Sequence, residues 1–254
     1  MNTADLAQQL ARARTQARML DTGPWLGFVA SVDDGYRIQS QLAELAGNDV
    51  HGWKVTALTP EQQRGYDTNR PVAGPLLAPF VHNEPATIDL SRFVGPLLEC
   101  EISFLLGRDL PARDKPYSRE EIEGAIEAII PAMEIADCRW PADAPGLLKL
   151  ADDMGNGAFI TGRSVQNWRG VDLAAIDVVL THEGTEAVRG NCARLLGDPL
   201  QAVVALANAQ PLAAGGLKRG HIVTTGTCTT PLPLARGRYV ADFGPLGILR
   251  LTIA

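Results

Sequence analysis

Apolar residues recur at helical spacing near the start of the chain and at strand-like spacing through most of the remainder. Residues 4–18 place Leu6, Leu10 and Ala11 on one face, which predicts a first helix. A second helix is expected after Asp33-Asp34 as its cap, with Ile38, Leu42 and Leu45 at i, i+4 and i+7 and Gly47 as its stop. From His51 onward prolines and glycines separate short β-like runs. GWKVTAL (52–58) reads as a strand, and RPVAGPLLAPF (70–80) as loop and edge strand, because proline cannot donate to a ladder. LLECEISFLLG (97–107) is the clearest strand. SREE (118–121) is a capping box, and Ile122, Ala125, Ile126, Ile129 and Ile130 follow at amphipathic spacing, so a helix ending at Pro131 is expected. AMEIAD (132–137) then reads as another strand. IDVVLT (176–181) and EAVRG (186–190) pair as a hairpin through Glu183-Gly184. GDPLQAVVALANAQ reads as a helix with Asp198 as cap and Pro199 at its first position, and HIVTTGTCT, GRYVADF and GILRLTI close the chain as strands.

Regular helices do not alternate with these strands, so a doubly wound parallel sheet is disfavoured. The pattern fits an α+β fold, a mixed β-roll with a small helical N-terminal part. The expected division is a helical segment over 1–60 packed on the core and a β-roll over 61–254. GNG at 155–157 lacks a third glycine and no GK[ST] occurs, so a dinucleotide site or a P-loop is not expected.

Composition narrows the function. With 46% hydrophobic and 20% charged residues, the chain can bury a sizeable core. A net charge of −6 without an Arg/Lys run argues against nucleic acid as a partner. No apolar run approaches the roughly 20 residues that span a bilayer. The polar, helical opening MNTADLAQQLARARTQ is unlike a signal peptide, and the four cysteines form no CxxC, so a cytoplasmic protein with reduced thiols is expected.

Alternation puts Glu99, Glu101 and Ser103 on one face of their strand, the two carboxylates roughly 7 Å apart at Cα. Between apolar flanks such a pair repels unless a cation or proton compensates. Read from spacing alone, an ordinary half-exposed strand explains the pair equally well. Glu134, between Met133 and Ile135, adds a third carboxylate in an apolar setting. With no His or Cys ligand nearby, the set suggests a hard, oxygen-preferring ion, Mg²⁺ or Mn²⁺. The alternative for Glu134 is a partner for Arg139 or a helix cap. Lys54 lies in an apolar strand beside Trp53, where burial would lower its pKa and let it move protons. The alternative is an edge lysine that snorkels to water. TTGTCT (224–229) offers hydroxyls and a glycine-kinked backbone to a carboxylate, or is simply a threonine-rich strand end. The four histidines read as structural or surface residues, and no GxSxG elbow is present.

The order GWK, LLECEISFLLGRDLP, EEIEGAIEAIIPAMEIADCR, ADDMGNGAFITG and GHIVTTGTCT resembles the fumarylacetoacetate hydrolase superfamily over nearly the whole chain, and within it the 2-oxopent-4-enoate hydratase and 4-oxalocrotonate decarboxylase branch. The E-x-E strand followed by P-A-x-E carries the resemblance most specifically. It implies that Glu99, Glu101 and Glu134 ligate Mg²⁺ or Mn²⁺, that Lys54 faces the active site as a catalytic residue, and that Thr227 contacts substrate. Arg139 and Asp152 are expected to bind substrate as well. The chain departs from the pattern at RPVAG, where Val72 stands near an aspartate of many relatives, and at Asp153, which holds an asparagine place.

The resemblance implies a metal-dependent lyase of aromatic meta-cleavage catabolism. It would add water to a 2-hydroxypenta-2,4-dienoate-like substrate to give a 4-hydroxy-2-oxo acid. A 2-oxo-3-enedioate (4-oxalocrotonate) decarboxylase or an acylpyruvate hydrolase would use the same metal site. Decarboxylation calls for a second basic residue toward the distal carboxylate, and Arg70 or Arg139 is expected to serve. A homo-oligomer is implied, with association with a decarboxylase or hydratase partner.

Overall fold

The computed structural model describes residues 2–254. Its helices are α1 (Thr3–Thr15), α2 (Val32–Leu45), α3 (Pro60–Arg64), α4 (Arg119–Glu123), α5 (Gly146–Ala151) and α6 (Leu200–Ala207). The first seven strands are β1 (Val50–Thr56), β2 (Val72–Leu77), β3 (Val81–Asn83), β4 (Ala86–Ile88), β5 (Leu97–Leu106), β6 (Ile126–Ala136) and β7 (Asn156–Thr161). The rest are β8 (Asp177–His182), β9 (Thr185–Asn191), β10 (Ile222–Thr227), β11 (Leu232–Pro233), β12 (Gly237–Asp242) and β13 (Ile248–Ile253). None of the helices is long and apolar enough to cross a membrane.

The strands form two mixed sheets. The larger runs β2-β1-β10-β5-β6-β7-β3, with β11 paired to β5, and the smaller runs β4-β13-β12-β8-β9. The expected mixed β-roll is the observed architecture. β5 and β6 form its spine, paired antiparallel from Leu97↔Ala136 to Leu106↔Ile126. Inner faces of both sheets share one core that includes Phe104, Ile129, Ile135, Tyr239 and Leu249. A second, smaller core joins Leu6, Leu10, Ile38 and Leu42 of α1 and α2 to Trp140 and Leu148.

Several elements differ from the sequence reading. The helix expected over 122–130 stops at Glu123, and Ile126–Ala136 is one continuous strand. Its isoleucines fit helical spacing, but β6 is buried on both faces, so no alternation marked it as a strand. β-branched side chains favour the extended form. Pro131 does not end an element. It pairs opposite Ile102, and its carbonyl accepts from the Gly162 N–H just past the end of β7, where its missing donor breaks no strand pairing. The cap of α2 is Ser31, whose side chain accepts from the Asp34 N–H, rather than Asp33-Asp34. The expected Asp198 cap is present in function, since its Oδ1 accepts from the Leu200 N–H at 3.0 Å. The hairpin turn falls at Glu183-Gly184, both with positive φ.

β1 lies on the helical side of the boundary expected at residue 60. It nonetheless sits inside the larger sheet, antiparallel to β2 and parallel to β10. The strands come so close at Gly52 that a Cβ there would overlap the Ile222 carbonyl.

Candidate metal centre

The antiparallel register of β5 and β6 sets Glu99 directly opposite Glu134. Glu101 lies two residues further on the same face of β5. Like charges in such positions destabilise a sheet. One carboxylate oxygen from each of the three lies within 4.8 Å of the other two. Glu101 and Glu134 are fully buried and Glu99 is half-buried.

Burial pushes the Glu99 carboxyl up, and Glu134 adds to the rise against the pull of Lys54. Burial, Glu134 and Glu99 push Glu101 well above the usual carboxylate range. One positive side chain faces this cluster. Lys54 Nζ donates to Glu134 Oε1 at 2.6 Å and to the Met154 carbonyl at 3.1 Å. Burial opposes its charge, but Glu134 and Glu99 outweigh burial and hold the ammonium above its ordinary range. The lowered value expected for a lysine in an apolar strand is therefore not found in this cluster.

The donor set fits a hard divalent cation. All three groups offer oxygen, a single lysine cannot balance them, and Glu134 Oε2 is buried without a hydrogen-bond partner. Such an ion would take up the carboxylate charge that the protein leaves uncompensated.

The carboxylates are held from three sides. Thr224 Oγ1 donates to Glu101 Oε2, and the Gly226 N–H reaches the same oxygen at 3.3 Å. Gly226 has φ +95°, and the pairing of β10 with β5 shifts register between Thr224 and Thr227. That bulge turns backbone and hydroxyls toward the carboxylates. Asn156 Nδ2 donates to Glu134 Oε1 at 3.0 Å. Its strand is preceded by a turn, Asp153-Met154-Gly155, with φ of +49°, +57° and +69°. Two non-glycine residues in the left-handed region carry strain. The turn presses on β2 at Gly74, where a Cβ would lie 2.5 Å from the Asp153 carbonyl oxygen. It delivers both the Met154 carbonyl to Lys54 and Asn156 to Glu134. Arg14 of α1 braces it, reaching Asp153 Oδ2 at 3.3 Å and the Asn156 carbonyl at 2.6 Å.

Arg139 and Asp152, expected to bind substrate, instead bind each other. Arg139 Nε meets Asp152 Oδ1 at 2.8 Å, and its backbone N–H meets Oδ2 at 2.8 Å. The remaining guanidinium donors reach the Asp137, Asn156 and Asp152 carbonyls. Both side chains are 1% exposed. Neither lines the cavity at the carboxylates, so their role is to fix the turn above. Arg70 lies elsewhere too, near Asp33 and the Ala209 carbonyl. Thr227 lines the cavity, with its hydroxyl donating to the Thr229 carbonyl at 2.9 Å.

The cavity has a volume of about 440 Å³. Lys54, Glu99, Glu101 and Thr227 line it together with Thr225, Gly226, Arg194 and an apolar wall of Leu58, Tyr66, Met154, Leu195 and Leu196. No histidine lines it; His221 is buried and accepts from the Trp53 indole at 3.2 Å. The four cysteines are free, and burial pushes the Cys100 thiol up to about 12, so it is no nucleophile. Asn156 and Arg194 carry no signal in the sequence, whereas Thr224 lies in the TTGTCT run whose hydroxyls the sequence offers to a carboxylate; the carboxylate it meets is Glu101.

This arrangement has counterparts in known proteins. The Fumarylacetoacetate (FAA) hydrolase C-terminal model matches residues 72–254. A 2-keto-4-pentenoate hydratase of Paraburkholderia xenovorans strain LB400 is 31% identical, over 87% of this chain and 81% of its own. Another, from Burkholderia vietnamiensis strain G4, is 29% identical over 98% and 95%. The solved 4-oxalocrotonate decarboxylase from Pseudomonas putida G7, complexed with magnesium and adipate, shares the fold, with a TM-score of 0.86, 24% identity and coverage of 99% and 97%. With well over half its length under the family model and a hydratase relative across most of it, the chain belongs to the fumarylacetoacetate hydrolase family, in the branch of 2-keto-4-pentenoate hydratases and 4-oxalocrotonate decarboxylases.

Proposed function

We propose that the protein is a divalent-cation-dependent lyase that adds water to the distal double bond of a 2-hydroxypenta-2,4-dienoate-like substrate, giving a 4-hydroxy-2-oxo acid. The observation that carries this reading is the convergence of Glu99, Glu101 and the buried Glu134 on Lys54, with Lys54, Glu99 and Glu101 in the wall of one cavity. Relatives named 2-keto-4-pentenoate hydratase support it.

In this reading Glu99, Glu101 and Glu134 hold Mg²⁺ or Mn²⁺. When bound, the ion supplies a chelation centre for the 1-carboxylate and 2-oxo group and takes up charge that develops on the 2-oxo oxygen. Lys54 Nζ carries the proton exchanged at C3. Glu134 and the Met154 carbonyl aim it from behind, which fits general acid–base work. Thr227 and the Gly226 turn orient the substrate at the cavity wall. Leu58, Tyr66 and Leu195 limit bulk water around the diene. The family likeness also supports a cytoplasmic homo-oligomer that associates with a pathway decarboxylase; sedimentation of the purified chain tests self-association, and sedimentation of its mixture with that decarboxylase tests the partner.

The test is an assay on 2-hydroxypenta-2,4-dienoate with Mg²⁺ or Mn²⁺ supplied. Loss of diene absorbance, formation of 4-hydroxy-2-oxopentanoate and no carbon dioxide are expected. Carbon dioxide release from a 2-oxo-3-enedioate, with the diene left untouched, would make the protein a decarboxylase instead. A Glu101→Gln variant with full rate and full metal affinity would sink the metal assignment.

A further inference from the structure

We propose that Arg194 tunes the specificity of this site by binding a distal carboxylate, so that among 2-hydroxydienoate-like substrates and their 2-oxo analogues of equal length, the one that carries a terminal carboxylate binds more tightly. The inference rests on the lyase reading above and names its substrate class.

Two basic side chains line the cavity, Lys54 and Arg194. Lys54 is committed to Glu134 at 2.6 Å. Arg194 is uncommitted: its hydrogen bond is to Thr230 Oγ1 at 3.4 Å, and it joins no carboxylate among the described residues. Some exposed arginines of this chain find acids, as Arg119 does with Asp198, Arg189 with Glu186 and Arg238 with Glu183, and others, such as Arg64 and Arg250, do not line this cavity. Arg139 and Arg70, expected to meet a distal carboxylate, are engaged elsewhere. Arg194 is thus the one cavity-lining cation with its charge unspent.

Its position suits the far end of a substrate. Of the residues that line the cavity, Glu101 is 1% exposed, whereas Arg194 is exposed to solvent. Arg194 ends a single helical turn, Cys192–Arg194, between β9 and α6. Leu195 and Leu196 follow it into the cavity lining, Leu196 with φ +58°, a left-handed conformation costly for leucine. A Cβ on Gly226 would touch Leu195 Cδ2 at 3.5 Å, so this segment lies against the bulge that faces Glu101. Glu99, Glu101 and Arg194 therefore line one space of about 440 Å³, ample for an acid longer than five carbons. With the 1-carboxylate end of the substrate at the glutamates, the group that reaches Arg194 meets a guanidinium whose planar fork matches a carboxylate.

Calorimetric titration of the Mn²⁺-loaded full chain separates the possibilities without turnover. The probes are 2-oxoadipate and 2-oxohexanoate, equal in length and differing in a terminal carboxylate. The wild type should bind 2-oxoadipate about tenfold more tightly. In Arg194→Ala the ratio of the two affinities should fall to near one, and Arg194→Lys should restore part of it. Equal binding by the wild type, or a preference that survives Arg194→Ala, overturns the role of Arg194 and leaves the lyase reading intact. Failure of both probes to bind overturns the lyase reading, and this inference with it.

Discussion

Replacing Asp153 by asparagine probes the turn that aims Lys54 and Asn156. Asp153 is 1% exposed; one oxygen meets Arg14 at 3.3 Å and the other has no partner. Burial pushes its pKa from 3.8 up to about 6, in spite of Arg14. Between those values the folded protein holds a proton that the unfolded chain has released. This raised pKa contributes stability that is fully present below about pH 3.8 and is lost as pH rises through about 6. At about 1.4 kcal/mol per pH unit in that window, the contribution is about 1.4 kcal/mol at pH 5 and near zero at pH 8. Asp153→Asn has no such proton to lose. Every other group titrates in both proteins and cancels in the comparison. Urea denaturation of both proteins at pH 5, 6, 7 and 8 should show the variant gaining about 1.4 kcal/mol on the wild type across the series, most of it below pH 7. A difference that stays flat with pH would refute the claim that Asp153 is strained by burial.

Further outcomes follow from the same geometry. Lys54→Met should lower kcat/KM by about 10²–10⁴-fold while Mn²⁺ still raises the melting temperature, because the three carboxylates remain; loss of the Mn²⁺ shift would count against separate roles. Arg139→Met leaves Asp152 buried and unpaired and should cost about 3–5 kcal/mol in urea unfolding, so a near-native midpoint would show that the pair is dispensable. Gly52→Ala forces β1 and β10 apart and should destabilise by at least about 2 kcal/mol, which a thermal melt within a degree of wild type would disprove.

What the sequence made legible follows from where each signal is stored. Alternation along one strand put Glu99 and Glu101 on a shared face, a local property of an extended chain. That Glu134 stands opposite Glu99 depends on the register of β5 and β6, which no spacing encodes. The helix expected through Ile130 was misjudged because β6 is buried on both faces and so carries no period of two. Arg139 and Asp152 looked like polar residues awaiting a ligand; only folding shows that they satisfy each other. Asn156 and the Met154 carbonyl reach the site through a left-handed turn, and a backbone oxygen leaves no trace in residue type. Arg194 lies beyond the hairpin, far in sequence from every other cavity residue except its leucine neighbours and the late threonine run.

The position of β1 bears on how this family can be taken apart. The C-terminal match begins at residue 72, whereas Lys54 lies on a strand before it. A fragment starting there keeps all three glutamates and loses the cation that answers them. It also loses the strand between β2 and β10, leaving those two facing a gap of about 10 Å, two strand spacings wide. The smallest inheritable or transplantable piece with this chemistry therefore reaches back to Val50. To keep the brace on the Asp153 turn it reaches back to Arg14. Swapping C-terminal modules between relatives would pair one protein's carboxylates with another's lysine, and the two would have to meet across a seam that runs through the site itself.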